Sequence, residues 1–160
     1  MRREALKPEP TRDRTKPDEG GRPSGLEISV KRYAVLYVAT LVVLMLLDFV
    51  FLGILTKGFF TSEVGDMLAE VRALPAIVFY LLYVVGVLIF VSTSHTTARH
   101  TLIYGALFGL FCYATFDLTA LALLKHWSVA VAAVDVSWGA VVTAASSTAG
   151  LVVADRLAPR

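Results

Sequence analysis

The run TLIYGALFGLFCYATFDLTALALL, residues 101–124, decides the fold: it is 24 residues long and holds one charge, Asp117. A helix needs about 20 apolar residues to cross a hydrocarbon core of about 30 Å, and this run has them. A helix buried in a soluble domain is shorter and shows a polar face. A segment in lipid must also satisfy its own backbone hydrogen bonds, which forces the helical reading. Three more runs of the same kind surround it. Residues 33–56 hold only Asp48, residues 74–94 hold no charge, and residues 129–154 hold only Asp135. The expected fold is therefore all-α, an integral membrane four-helix bundle. Its domain covers residues 29–160, with spans at 33–56, 74–94, 101–124 and 129–154.

Composition agrees. Of the 160 residues 56% are hydrophobic and only 18% charged, against about 25% charged in soluble domains. The mean hydropathy is +0.68. That balance argues against a soluble enzyme or a nucleic-acid module despite a net charge of +2. No nucleic-acid partner is expected, and membrane lipids are.

The charge that exists is concentrated at the start. Residues 1–32 carry nine Lys/Arg and six acids, among Pro8, Pro10, Pro17, Pro23, Gly20, Gly21 and Gly25. Such a stretch buries too little apolar surface to order itself, so residues 1–28 read as a disordered tail. With no apolar core segment and no small-residue cleavage site, it is not a signal peptide. Residues 1–32, Arg99, Arg156 and Arg160 place twelve Lys/Arg on one side of the membrane; Lys57, Arg72 and Lys125 leave three on the other. The positive side faces the cytoplasm, so both termini are expected there. His95 and His100 read as solvated loop residues on that side. In the outer loop, Thr61 or Ser62 reads as the cap of a short helix in which Val64, Met67, Leu68, Val71 and Leu74 recur at helical spacing. That helix is expected to lie amphipathically on the outer surface.

An ionisable residue inside a span is a functional hypothesis by default. At ~1.5 Å per residue, Asp48 lies roughly 12 Å, Asp117 about 10 Å and Asp135 about 9 Å below the outer boundary. Three carboxyls on three helices thus share one layer, and Tyr80 joins them. Gly105, Gly109, Tyr113, Asp117 and Ala120 fall on one third of the third span at 100° per residue, and Gly105 with Gly109 permits close helix approach. Gly139 does the same on the fourth span, beside Asp135 and Trp138. A polar pocket open to the outer face follows, lined by Asp48, Tyr80, Tyr83, Tyr113, Asp117, Asp135 and Trp138. No Lys or Arg lies at that depth; Lys57 and Lys125 lie one to two turns above, within snorkelling reach. His126 next to Trp127 reads as an interfacial residue. Cys112 is the single cysteine, so no internal disulfide can form. There is no Gly-rich phosphate loop and no His-x-x-x-His or zinc spacing, and Ser146, Ser147 and Thr148 lack a base on their helix. No cofactor and no metal site is expected.

Four stretches, LLDFVFLG (46–53), PAIVFYLLYVVGVLIF (75–90), GALFGLFCYATFDLTALALL (105–124) and DVSWG (135–139), resemble a bacterial membrane-protein family known as domain of unknown function 2177. The resemblance spans roughly residues 33–154. It implies a four-helix protein of the bacterial inner membrane, with Asp48, Tyr80, Tyr83, Tyr113, Asp117, Thr119, Asp135 and Trp138 at the family's motif positions. This chain departs from the family's pattern in having Phe49 and Phe51 where a Trp follows the first Asp, and Ala120 where an Asn follows Asp-Leu-Thr. Three functions fit these residues. One is a protein that handles a lipid or small apolar molecule. Another is a small proton-coupled carrier, for which four helices are few and a homodimer is required. The third is a structural membrane protein whose Asp/Tyr layer sets packing alone.

Overall fold

The computed structural model describes residues 25–67, 70–92 and 96–159, and these are all-helical. Most of the stretch read as a tail lies outside them. Helix α1 runs Gly25–Val50 and continues as a π-helical turn, Phe51–Leu55; α2 is the short Lys57–Val64, closed by a 3₁₀ turn at Gly65–Met67. Helices α3 (Ala73–Phe90), α4 (Ala98–Leu123) and α5 (Val129–Leu157) complete the chain. Four of these are long and apolar enough to cross a membrane: Ser29–Leu55, Ala73–Phe90, Ala98–Leu123 and Val129–Leu157. Even the 18-residue α3 extends about 27 Å at ~1.5 Å per residue, close to the hydrocarbon thickness.

The ends of these helices have local causes. Thr97 accepts from the His100 amide and starts α4. Ser128 accepts from the amides of Ala130 and Val131 and starts α5. Both are side-chain N-caps satisfying donors that a helix start leaves free. Where α1 ends, the Phe51 carbonyl accepts both the amide and the hydroxyl of Thr56, each at 2.8 Å. The short helix lies nearer the N-terminus than its hydrophobic spacing predicts. Thr61 and Ser62 do not cap it: their hydroxyls donate back to the carbonyls of Lys57 and Phe59 from inside the helix. His100 also differs from its loop reading, because it sits in the first turn of α4 with its ring stacked on Tyr104 at 4.0 Å.

Helix α5 is the centre of the bundle, flanked by α4 and α1, with α3 leaning on α1 and α4. Small residues let α4 and α5 meet backbone to backbone. A Cβ on Gly105 would sit 2.6 Å from Ser147 Oγ, and one on Gly109 would overlap the Gly139 carbonyl. A Cβ on Gly139 would overlap the Tyr113 ring. Gly150 does the same service for Thr40 of α1. This is membrane packing, in which close approach substitutes for a hydrophobic driving force. Leu44, Val84, Val87, Val91 and Val142 fill the space between α1, α3 and α5. Outward, large apolar side chains such as Leu82, Phe90, Phe111 and Leu118 are 60–70% exposed, a surface suited to lipid rather than water. The ends of the bundle differ. One carries α2 and the α4–α5 turn and is called here the α2 end. The other carries the start of α1 and the end of α5, where buried Arg32 bonds Asp155 at 2.7 Å and the Ala158 carbonyl at 2.9 Å.

Candidate functional site

Alternating helix direction brings the intramembrane carboxyls to one end. Asp48 is near the end of α1, Tyr80 near the start of α3, Asp117 near the end of α4 and Asp135 near the start of α5. All four therefore lie toward the α2 end, and they form two neighbouring groups.

The first group is built on Asp48, which is 3% exposed. Its Oδ1 accepts from Trp138 Nε1 at 2.7 Å, and the Tyr80 hydroxyl is within hydrogen-bonding reach. The Trp138 indole also carries the Phe51 ring, stacked at 3.9 Å between centroids and 3° from parallel. Phe51 opens the π-helical turn of α1; such turns recur at functional positions in helices. Phe51 and Trp138, with Ala133, Val134, Ser137 and Val141, border a shallow open depression. Its walls are apolar except at Ser137, whose hydroxyl donates to the Ala133 carbonyl.

The second group is built on Asp117, fully buried between α4 and α5. Its Oδ1 accepts from Trp127 Nε1 at 3.1 Å. The Asp135 carboxyl is within hydrogen-bonding reach of Asp117. The second Asp117 oxygen meets no N–H or O–H donor among the described residues. A contact between two carboxyls is a hydrogen bond only when a proton lies between them. The glycine contacts at 105, 109 and 139 bring the two backbones close enough for this pair to meet.

Tyr113 links the groups. Its ring packs on Gly139, meets Tyr83 edge-on at 6.3 Å, and lies within electrostatic range of Asp48, Asp135, Tyr80 and Tyr83. Tyr83 is buried and shares a 2.7 Å hydrogen bond with the Thr143 hydroxyl, which also donates to the Gly139 carbonyl. Seven of the eight residues singled out from sequence thus lie in or beside one layer. Thr119 does not: it is exposed, and its hydroxyl donates to the Thr115 carbonyl on its own helix. Lys57 and Lys125 are exposed and form no ion pair with these carboxyls among the described residues. Among the described residues, no three His, Cys, Asp or Glu side chains converge in the way a metal centre needs.

Three contributors escape a sequence reading: Trp127, Thr143 and Phe51. Trp127 is the informative one, because its neighbours act with it. His126 contacts Asp66 at 3.5 Å, Trp127 reaches down to Asp117, and Ser128 donates to Glu63 at 2.6 Å. One short turn therefore ties the α2 segment above to the carboxyl pair below, and Val64 at the end of α2 is fully buried.

A family model described as predicted membrane protein (DUF2177) matches residues 33–152, which is most of the chain and all of this layer. No curated protein and no solved structure matches.

Proposed function

The chain belongs to the DUF2177 family of predicted membrane proteins, and on that premise we propose that it handles a lipid or small apolar molecule at the α2 end of the bundle. In this reading the chain lies in the bacterial inner membrane with both termini cytoplasmic, which places the carboxyl layer in the outer leaflet. The reading rests on Trp138. One ring face of that side chain borders the apolar depression and stacks on Phe51, while its indole N–H holds buried Asp48. An apolar chain lying against Phe51, Val134 and Val141 would come to rest beside the polar layer, where carboxyls and Tyr hydroxyls can orient or protonate a head group. Ala133, Ser137 and Val141, which border the depression, are exposed along the length of α5, so such a molecule would enter from the bilayer rather than from water. The α2 segment, from Lys57 through Met67, would lie over the layer on the outer surface.

A photoactivatable phospholipid incorporated with the full chain into bilayers tests this. Labelling should concentrate on residues 133–141 and Phe51 beyond that on other lipid-facing stretches, and fall to their level in Trp138→Leu. Equal labelling along α3, α4 and α5 in the wild type would leave the layer a packing device and overturn the reading.

A further inference from the structure

The Ser and Thr hydroxyls of the spans are satisfied in different ways. Thr115, Thr119, Ser137, Thr143 and Ser147 each donate to the carbonyl four residues back at 2.6–2.7 Å, the usual way a membrane helix satisfies Ser and Thr. Thr40, Ser92, Thr101 and Thr148 do not. Their hydroxyl oxygens are buried without a hydrogen-bond partner among the described residues, and the same holds for Nδ1 of His100. Thr40, Ser92 and Thr101 are 0% exposed.

These five atoms come from all four spans or their ends, and all lie toward the end of the bundle away from the carboxyls. Thr40 of α1 packs on Gly150 of α5. Gly105 of α4 packs on Ala144 and Ser147, so Thr101, one turn earlier, comes level with the α5 segment that carries Thr148 and Gly150. Ser92 follows α3, and His100 precedes Thr101. Above them, the Tyr83–Thr143 pair lies about 7 Å along α5 from Thr148, and Asp135 about 12 Å beyond that pair, at ~1.5 Å per residue.

A buried hydroxyl without a partner is costly. The back-bonded Ser and Thr show that these same helices offer a cheap local alternative, which these four residues do not take. Water satisfies two to four such groups at once when they surround one small space. We propose that this half of the bundle binds ordered water, held by Thr40, Ser92, Thr101 and Thr148 with His100 at its edge, and leading toward the Tyr83–Thr143 pair. Its ligand is water. None of these five side chains is a carboxylate or a permanent cation, which suits water rather than an anion or a metal ion. The proposal does not depend on the lipid reading.

The test uses the full chain in bilayers with ¹³C-labelled Thr and Ser, and follows magnetisation transfer from water by solid-state NMR. Transfer to the Thr40 and Thr101 side chains should come within about twofold of that to exposed Thr97, and well ahead of the Leu44 and Val142 methyls, because bound water lies in contact with the hydroxyls. Thr101→Val keeps the shape and removes the hydroxyl; it should slow transfer to Thr40 and Thr148. Wild-type transfer to Thr40 and Thr101 as slow as to Leu44 overturns the proposal. Unchanged transfer to both neighbours in Thr101→Val overturns the shared site.

Discussion

Trp138→Phe and Asp48→Leu, singly and together, isolate the contact on which the candidate site is built. Trp138→Phe keeps a ring against Phe51 but removes the indole N–H that reaches buried Asp48. Leaving a buried acceptor without its donor costs about 1–3 kcal/mol. Asp48→Leu removes the acceptor, strands the indole N–H and also takes a partner from Tyr80. In the double variant neither polar group is stranded at this contact, so the losses should not add. The coupling expected for an interhelical hydrogen bond in a membrane is about 0.6–1.7 kcal/mol. Working from the cycle removes the packing lost when indole becomes phenyl, which each single variant would otherwise include. The assay is reversible unfolding in mixed micelles by SDS titration, followed by far-ultraviolet circular dichroism. A coupling of zero within about 0.3 kcal/mol, the scatter of independent sites, would refute the idea that Asp48 and Trp138 act as one unit.

Other perturbations follow from the geometry. Gly109→Ala drives a methyl into the Gly139 carbonyl and Thr143 Oγ1 and should cost about 1–3 kcal/mol in the same assay. Gly58→Ala meets nothing within 4 Å and should be neutral or stabilise α2 by up to about 1 kcal/mol. Arg32→Ala removes bonds to Asp155 and the Ala158 carbonyl from an 8%-exposed side chain and should cost about 1–3 kcal/mol. Asp155→Asn, at 48% exposed, should cost no more than about 1 kcal/mol. His126→Ala loses a contact between side chains about 70% exposed and should change stability by no more than about 0.5 kcal/mol; a larger loss in the same assay would show that the pair holds the α2 segment in place.

The spans and the carboxyl layer were legible because they depend on two robust quantities, apolar length and distance along a helix. Asp48, Asp117 and Asp135 were placed at one end by counting residues. Gly105 and Gly109 named the face that carries Asp117. What escaped depends on geometry that periodicity does not encode. Trp127 lies in a turn, where no helical phase predicts its direction, and only the fold reveals that it bends back over Asp117. The π-helical turn at Phe51–Leu55 interrupts the phase of α1, so the stacking of Phe51 on Trp138 has no counterpart in the sequence pattern. Thr119 shares a short motif with Asp117, yet two positions on a helix differ by about 200°, which turns it outward. The short helix was displaced for a related reason: its apolar spacing is real, but the chain leaves α1 at Thr56 and refolds at once.

The most direct test of the lipid-handling claim is a comparative membrane lipid profile by mass spectrometry. The strains are a deletion of the gene, the deletion carrying the wild-type protein, and the deletion carrying Asp117→Asn at equal level. A lipid species that changes on deletion, returns with the wild type and fails to return with Asp117→Asn is the expected result, because Asn keeps the shape of a carboxyl but not its chemistry. A profile unchanged across all three strains would contradict it.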